Sequence, residues 1–373
     1  MNFSFWEYES WINNIDYCIV GSGITGLNCA LEIRKKQPSA KILILEKGIL
    51  PEGASTKNAG FACFGSISEI LDDLKTLSEE EVITLIQKRW DGLNLLRKNL
   101  GDRQIDFQQN GGYELFTEAD SALYEQSMSA ISSVNKLLTP VFGESVFSET
   151  SNNFRFSNIK PRLIYNRFEG QIDTGRMMQM LLKKVHTENI RILNGMEVIS
   201  FTDGNSAVEV ITNQFKFSVK KLIIATNGFA SRLGLEEVKP ARAQVLITKP
   251  IENLHLQGTF HLDRGYFYFR NIDNRILFGG GRNLDFTGEE TDITGTTSLI
   301  QNKLRALLKS CILPDTAFEI DRQWSGIMGV GATRQPVIKA ISSNVFCGVR
   351  LGGMGIAIGS LVGRDLANLT LNS

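Results

Sequence analysis

The stretch Ile15-Asp-Tyr-Cys-Ile-Val-Gly-Ser-Gly-Ile-Thr-Gly26 decides the fold that we predict for this chain. Its first six residues are mostly apolar and predict a strand that runs into Gly21, Gly23 and Gly26. Apolar residues then recur at helical spacing up to residue 36, and a second predicted strand, 41–45, ends at Glu46. This order and the glycine spacing are typical of a dinucleotide-binding βαβ unit.

The glycines and the acid of this unit each have a task in binding a dinucleotide. Gly21 permits the tight turn, Gly23 lets the backbone approach a pyrophosphate, and Gly26 lets the helix pack close to the sheet. The amides at the start of the helix, at Ile24 and Thr25, would receive the phosphate charge. Glu46 would accept hydrogen bonds from an adenosine ribose. A glycine triplet alone could be an ordinary flexible turn, but its context favours the nucleotide site.

Composition narrows the class of protein. The 373 residues suggest two or three domains, and 40 basic against 40 acidic residues do not favour nucleic acid or an anionic membrane as partner. Five scattered cysteines and three histidines show no metal-ligand spacing, so we expect neither a disulfide framework nor a metal site. The longest apolar stretch, 351–362, is too short to span a bilayer, and the N-terminus does not resemble a signal peptide. We therefore predict a cytoplasmic protein that acts on a small molecule.

Three later stretches suit the same nucleotide site. The loop 51–62 is rich in small residues, which allow a backbone to lie against phosphates and a flat ring. An apolar strand ends in Ala225-Thr-Asn-Gly228, where small residues let the chain pass close to a cofactor. Near the C-terminus, 345–359 predicts a strand, a glycine turn and the start of a helix, whose N-terminus could face a partly anionic group.

Other segments predict a different unit. Residues 68–100 and 121–138 have helical patterns, and 240–324 is dominated by strands with alternating aromatic residues. This mixture predicts a second domain with a largely antiparallel sheet, inserted into the first.

Taken together, the motifs resemble those of the FAD-dependent D-amino acid oxidase superfamily, which includes glycine oxidase and sarcosine oxidase. The resemblance rests on Ile19-Val-Gly-Ser-Gly-Ile-Thr-Gly-Leu27, Leu45-Glu-Lys47, Gly53-Ala-Ser-Thr-Lys-Asn-Ala-Gly60, Ala225-Thr-Asn-Gly228, Trp324-Ser-Gly326 and Gly352-Gly-Met-Gly355, in that order along nearly the whole chain.

The resemblance implies an α/β fold, with a Rossmann-like FAD-binding domain and a substrate domain whose largely antiparallel sheet roofs the isoalloxazine ring. We assign residues 1–70, 155–236 and 326–373 to the FAD-binding domain, and 71–154 and 237–325 to the substrate domain. The implied FAD-binding residues are Gly21, Gly23, Ile24, Thr25, Gly26, Glu46, Lys47, Ala54, Ser55, Thr56, Asn58, Ala59, Gly60, Val198, Ala225, Thr226, Gly228, Gly326, Gly352, Gly353, Met354 and Gly355.

Two departures from the family pattern matter. Some relatives attach FAD to a histidine just before the Ala-Gly of the loop, and this chain has Asn58 there. Sarcosine oxidase-like relatives use a cysteine after the tryptophan segment, whereas this chain has Ile327 and Met328 in that region. We therefore expect non-covalent FAD.

The resemblance also implies a reaction in which the carbon beside an amine gives a hydride to flavin N5, so no catalytic side chain is expected. A substrate carboxylate would be bound by an arginine, for which the sequence offers Arg270, Arg282, Arg334 and Arg350. Glycine and D-amino acid oxidases place this arginine near the position of Met328, which weakens a simple α-amino acid assignment. We select Arg334, Tyr268 and Arg270 as the substrate-binding residues. Alternation along a predicted strand places Tyr268 and Arg270 on one face together with Tyr266.

The function predicted from the sequence is thus oxidation of an amine or amino acid, with oxygen or an electron carrier as the acceptor. Two alternatives stay open at this point. One is an FAD-dependent dehydrogenase of a 2-hydroxy acid or a polyol, and the other is a flavin- or nucleotide-binding module without turnover.

Overall fold

The computed structural model describes residues 2–204 and 206–373 of the chain. Two eight-stranded sheets form its framework, and a short two-stranded sheet, Phe61–Ala62 with Gly170–Gln171, accompanies them. The α-helices are Phe5–Glu7, Ile24–Lys36, Ile67–Asp73, Glu79–Leu100, Ser121–Phe142, Thr174–Thr187, Ser298–Leu307 and Gly355–Asn372.

The first sheet contains the glycine-rich unit. Strands Val345–Val349, Lys216–Ile224, Ile15–Val20, Ile42–Glu46 and Arg191–Asn194 lie side by side and parallel in that order. Val337–Ala340 adds an antiparallel edge, and the hairpin strands Val198–Asp203 and Val208–Thr212 branch from Lys216–Ile224. Ile19, Ile44 and Ile223 face a core shared with the helices, while Cys18, Leu43 and Leu222 face a second core. Burial on both faces explains why the strands read as continuous apolar runs.

The second sheet is antiparallel except for one pair. Its order is Ile320–Val330, Lys239–Thr248, Arg275–Gly280, Phe267–Ile272, Thr259–Leu262, Gly112–Leu115, Arg162–Asn166 and Phe147–Ser151. Only Thr259–Leu262 and Gly112–Leu115 run parallel among the described strands of this sheet. The predicted fold class, a Rossmann-like unit and a largely antiparallel sheet, is confirmed.

Two local predictions differ from the structure. The segment predicted as one helix, 68–100, is two helices, because Ser78 caps a new helix by accepting a hydrogen bond from the Glu81 amide while the Glu81 side chain bonds back to Ser78. The apolar strand predicted to end in Ala225-Thr-Asn-Gly228 is the second half of a longer strand, Lys216–Ile224, which pairs with the hairpin at one end and the parallel strands at the other.

The assignment of sequence segments to domains stays a proposal. The sequence predicts that residues 155–236 belong to the FAD-binding domain, whereas Arg162–Asn166 pairs within the second sheet. Conversely, helix Glu79–Leu100 packs its Leu93 and Leu96 into the core of the first sheet. In the described part of the chain, no helix is long and apolar enough to cross a membrane.

Helix Glu79–Leu100 approaches the last helix at a glycine. A β-carbon on Gly92 would lie 2.3 Å from the Ala357 carbonyl oxygen, so the two helices touch through their backbones. The contact joins the inserted segment to the helix that follows the second glycine turn.

We expect Gly92→Ala to lower the free energy of unfolding by about 1–3 kcal/mol, because the added methyl group must push the helices apart. Urea denaturation followed by circular dichroism measures this change. Gly175→Ala is the matched control, since Gly175 is an exposed helical glycine whose β-carbon would meet only the Asp173 carboxylate. A Gly92→Ala protein as stable as the control would contradict the predicted close contact.

Candidate active site

One long cavity lies along the carboxyl ends of the parallel strands and continues beneath the second sheet. Most of the residues that the sequence analysis assigned to FAD line it: Gly21, Gly23, Ile24, Thr25, Glu46, Lys47, Ala54, Ser55, Asn58, Ala59, Gly60, Val198, Ala225, Thr226, Gly326, Gly352, Gly353, Met354 and Gly355. The structure thus brings together, in one channel, segments that are more than 300 residues apart in the sequence.

The first glycine turn is tight for identifiable reasons. Gly21 has a φ of +105°, and a β-carbon there would lie 2.8 Å from the Ala225 carbonyl oxygen of the neighbouring strand end. A β-carbon on Gly26 would lie only 2.0 Å from the Gly21 carbonyl oxygen. Gly26 does not line the cavity. Its absent side chain instead lets the helix start directly over the turn.

Glu46 is held rigidly at the end of its strand. The side chain is buried, and one carboxylate oxygen accepts hydrogen bonds from the Ser22 amide (3.0 Å) and hydroxyl (2.8 Å). The other oxygen accepts from the amides of Gly48 (3.1 Å) and Glu52 (3.3 Å). The acid is therefore tied to the glycine turn and to the following loop, with its carboxylate at the cavity surface.

The loop after Glu46 is organised by Asn58. Its Nδ2 donates to the carbonyls of Ala54 (3.1 Å) and Ser55 (2.8 Å), and its Oδ1 accepts from the Gly60 amide (2.9 Å) and the Thr174 hydroxyl (2.8 Å). The Ser55 hydroxyl in turn accepts from the Ile24 amide (3.0 Å) at the start of the first long helix. Loop and helix start are thus joined where a pyrophosphate is expected.

Thr56 and Gly228 also support the site from outside the cavity. The Thr56 hydroxyl donates to the Pro51 carbonyl (2.7 Å) and stabilises the loop. A β-carbon on Gly228 would lie 2.4 Å from the Met328 carbonyl oxygen, so this glycine permits close packing on the second sheet. The cavity-lining set contains neither residue.

Buried polar atoms without partners indicate that the cavity is built for a polar ligand. The hydroxyls of Thr25 and Thr226 are buried and have no hydrogen-bond partner in the described part of the chain, and both residues line the cavity. An unsatisfied buried hydroxyl is costly, and a ligand with acceptor groups removes that cost. The glycine cradle and these hydroxyls fit the diphosphate and ribose groups of FAD.

The second glycine turn closes the far side of the cavity. Gly352 has a φ of +58°, and its amide donates to the Gly329 carbonyl (2.9 Å). Helix Gly355–Asn372 begins directly afterwards, so its first amides face the cavity. Partial positive charge at a helix N-terminus favours an anionic group there.

The three residues predicted to bind substrate have different surroundings. Tyr268 lines the cavity, and burial raises the pKa of its phenol to about 12, so the phenol is neutral and can donate a hydrogen bond. Arg334 also lines the cavity, but its guanidinium already pairs with Asp72 (3.2 Å) and Asp73 (3.0 Å).

Arg270 lies behind the cavity wall and is absent from the lining. Its Nε donates to the Ala59 carbonyl (2.5 Å) and its Nη2 to the Ile172 carbonyl (2.9 Å). Tyr268 and Arg270 share a strand face as predicted, but Arg270 lies two residues farther along and reaches under the loop. The structure therefore does not bring Arg270 to the substrate region.

Several residues near Tyr268 escaped the sequence analysis. Phe61 and His261 pack edge-to-face, with ring centroids 5.3 Å apart, and Phe61 packs in the same way on Tyr268. Cys63, Glu69, Arg89 and Arg264 also line the cavity without having been indicated by the sequence. Their positions in the sequence form no motif, so no sequence signal indicated them.

His261 belongs to a buried group of charges beside the cavity. Its Nε2 shares a hydrogen bond of 2.5 Å with Glu169, which also accepts from the Thr259 hydroxyl (2.7 Å). Burial disfavours the imidazolium, but the charge and hydrogen bond of Glu169 outweigh it and raise the pKa of His261 to about 9. Glu114 lies opposite His261 on the neighbouring parallel strand. Burial raises the pKa of Glu114 to about 7, although its carboxylate accepts hydrogen bonds from Ser66 and Ser68.

A model of the family described as DAO, FAD dependent oxidoreductase, matches residues 16–369 of the chain. Among curated proteins, the probable oxidoreductase OrdL of Haemophilus influenzae is 22% identical over 392 residues, which cover 96% of this chain and 84% of that protein. The gamma-glutamylputrescine oxidoreductase of Escherichia coli K12 is 22% identical over 377 residues, which cover 95% of this chain and 83% of that protein.

Solved structures share the fold along nearly the whole chain. Glycine oxidase from Geobacillus kaustophilus superposes with a TM-score of 0.76 at 20% identity, covering 96% of this chain and 95% of that chain. Iminodiacetate oxidase from Chelativorans sp. BNC1 gives a TM-score of 0.76 at 16% identity, with the same two coverages.

The buried charges predict how stability depends on pH. The raised pKa of His261 stabilises the folded state fully below about pH 6.5, and this contribution is lost as the pH rises through about 9. The raised pKa of Glu114 acts in the same direction, since its contribution is lost as the pH rises from 4.5 through about 7. We expect the free energy of unfolding to fall between about pH 5 and pH 9, as measured by urea denaturation at each pH.

The double variant Glu169→Gln/His261→Gln removes both charges of the pair and should flatten the part of this profile above pH 7. Glu114→Gln is the control and should keep the upper part while flattening the lower one. An unchanged profile above pH 7 in the double variant would refute the assignment to His261.

Proposed function

The chain belongs to the DAO family of FAD-dependent oxidoreductases, and on this basis we propose that it oxidises the carbon–nitrogen bond of an amine or an amino acid. FAD is its cofactor, in agreement with the resemblance noted from the sequence. The observation that carries the proposal is the continuity of one cavity from Glu46 and the glycine turns to Tyr268. Gamma-glutamylputrescine oxidoreductase, glycine oxidase and iminodiacetate oxidase, which resemble this chain, are named for nitrogen compounds of this kind.

Our proposal assigns the parts of FAD to the cavity residues by their chemistry. Glu46 would accept hydrogen bonds from the ribose, and the Thr25 amide would bind the pyrophosphate together with the Ser55 hydroxyl, which the Ile24 amide holds in place. The backbone of Val198 would lie along the adenine, and the amides of the turn 352–355 would face the pyrimidine part of the ring. When bound, FAD supplies the two-electron acceptor for the oxidation.

We propose that FAD is held without a covalent bond. Asn58 stands where some relatives have a flavin-linked histidine, and its side chain is fully used in organising its own loop. An amide side chain is not nucleophilic, and both of its polar atoms are occupied within the protein.

The side chains around Tyr268 would bind and orient the substrate. The neutral Tyr268 hydroxyl makes no hydrogen bond with the described residues and can donate one to a substrate acceptor, while Phe61 packs on its ring and excludes water. Arg334, tied to Asp72 and Asp73, would stand beside the substrate at the cavity wall. We reassign Arg270 as a positioning residue, because its contacts with the carbonyls of Ala59 and Ile172 fix the backbone there.

The electron acceptor after the substrate step would be oxygen or an electron-carrying partner. We also propose a cytoplasmic location, which five buried, unpaired cysteine thiols support because such thiols persist in a reducing compartment.

We expect Gly23→Val to weaken FAD binding by at least about 10-fold, equivalent to about 1.4 kcal/mol. A β-carbon at Gly23 would lie 2.8 Å from the Ser55 hydroxyl, and the valine methyl groups would occupy the approach to the pyrophosphate. Fluorescence titration of the apoprotein with FAD measures the effect. Gly175→Ala serves as control, because Gly175 is exposed and does not line the cavity, and equal FAD affinity in both variants would argue against this pyrophosphate position.

The reaction itself is tested by anaerobic bleaching of the protein-bound flavin. We expect the visible flavin absorbance to be lost on adding a compound from a panel of amino acids, N-methyl amino acids and polyamines. Bleaching by 2-hydroxy acids or polyols alone would overturn carbon–nitrogen oxidation, and bleaching by no compound of either class would favour a binding protein without turnover. Peroxide formation in air would then distinguish oxygen from a carrier as the acceptor.

A further inference from the structure

The cavity opens to solvent beside Arg232. The Arg232 side chain lines the cavity, yet 43% of it is exposed, so it borders both the cavity and the solvent. Its guanidinium lies 5.6 Å from the centre of the Phe229 ring, and the Lys47 ammonium lies 3.7 Å from the same centre. Because Lys47 directly follows Glu46, which would bind the ribose, this opening belongs to the end of the cavity that takes the adenosine half of FAD.

Two acids from different parts of the fold hold Arg232 at this opening. Glu197 lies directly before strand Val198–Asp203 of the first sheet, and its Oε1 is 3.1 Å from Nη1 of Arg232. Asp292 lies in the segment 281–297, which follows a strand of the second sheet, and its Oδ2 is 2.5 Å from Nε of Arg232. The guanidinium is therefore tied to both sheets at once.

The segment that carries Asp292 is anchored to the second sheet on both sides of this residue. Before it, the buried carboxylate of Glu289 accepts hydrogen bonds from Nε and Nη2 of Arg242, each at 2.8 Å. After it, the Gly295 amide donates to the Ser325 hydroxyl (2.9 Å), and the φ of +142° at Gly295 turns the chain back to the sheet. The Asp292 carboxylate thus reaches the opening from a fixed support.

The pair of Arg232 and Asp292 is suited to opening and closing. Both side chains are partly exposed, and an exposed ion pair holds its partners weakly enough to break and re-form. The hydrogen bond from Arg232 and the charges of Arg232 and Lys47 lower the pKa of Asp292, so its carboxylate is charged at neutral pH. Asp292 itself does not line the cavity, so it acts on a bound molecule only through Arg232.

We propose that the Arg232–Asp292 pair is a latch at the adenosine end of the cavity, and that its opening limits the rates at which FAD enters and leaves the protein. With the latch closed, the guanidinium is held at the opening by both sheets. With the latch broken, Glu197 alone retains the long Arg232 side chain, which then swings into solvent and widens the opening. No substrate takes part in this exchange, so the latch is independent of the proposed reaction.

The rates of FAD binding and release test the latch. A latch slows passage in both directions, whereas a simple contact with FAD slows release alone. Flavin fluorescence follows binding after FAD is mixed with the full-length apoprotein, and release after the loaded protein is diluted. We expect Asp292→Asn to raise both rate constants by about two- to fivefold, the size expected for an exposed ion pair, and to change the Kd by less than about twofold.

Three variants control this measurement. Asp292→Glu keeps the charge and should stay closer to the wild type than Asp292→Asn. The double variant Glu197→Gln/Asp292→Asn frees Arg232 completely and should raise both rate constants by about 10-fold. Glu319→Gln is the matched control, because it breaks an exposed ion pair of the second sheet with Lys249 (2.5 Å), and neither residue lines the cavity. Its two rate constants should equal those of the wild type.

Salt gives a second measurement on the loaded protein alone. Raising the ionic strength from about 0.1 to about 1 M shortens the screening length from about 10 to about 3 Å and weakens exposed ion pairs. We expect this change to accelerate FAD release more in the wild type and in Glu319→Gln than in Asp292→Asn, which has no ion pair left to weaken at Asp292.

The latch is overturned by any result in which the two rate constants of Asp292→Asn do not both rise, or rise no more than those of Glu319→Gln. A rise in the release rate alone shows a lost contact instead of a lost latch. An equal response to salt in Asp292→Asn and the wild type also overturns it. Faster exchange in Asp292→Asn together with no bleaching by any amine would keep the latch and overturn the proposed function.

Discussion

The close approach of backbone to backbone at the first glycine turn is the constraint on which the rest of the structure depends. No side chain fits between Gly26 and the Gly21 carbonyl, or between Gly21 and the Ala225 carbonyl. The first long helix can therefore begin directly at the carboxyl ends of two parallel strands. Its free amides, Glu46 and the small-residue loop then meet at one edge of the sheet, which is where open α/β sheets bind ligands.

Side chains of the second sheet hold the loop at this edge through hydrogen bonds to backbone carbonyls. Trp324 donates to the Lys57 carbonyl (3.0 Å), and Arg270 donates to the carbonyls of Ala59 and Ile172. These contacts fix the loop 51–62, which follows a strand of the first sheet and lies under the second sheet. An arginine selected from the sequence as a substrate ligand thus has a structural task, because loop carbonyls satisfy its donors before any substrate could.

Compensation of charge distinguishes the supporting residues from those open to a ligand. His261 is matched by Glu169, Arg334 by two aspartates and Arg242 by Glu289. Among the cavity arginines of the described chain, Arg89, Arg282 and Arg350 have no carboxylate partner. Pairing depends on which side chains meet across elements distant in sequence, so composition, with its zero net charge, contained no trace of it.

The sequence by itself determined the strand–glycine–helix unit of the parallel sheet, its glycine turn and the antiparallel character of the second sheet. These features follow from local rules, since glycine spacing and apolar periodicity act within about 30 residues. Tertiary structure alone decided the break at Ser78, the path of Lys216–Ile224 between two partners, and the fate of each arginine. Capping, strand pairing and ion pairing are settled by what each residue meets in space, and for that reason Arg270 binds the carbonyls of Ala59 and Ile172.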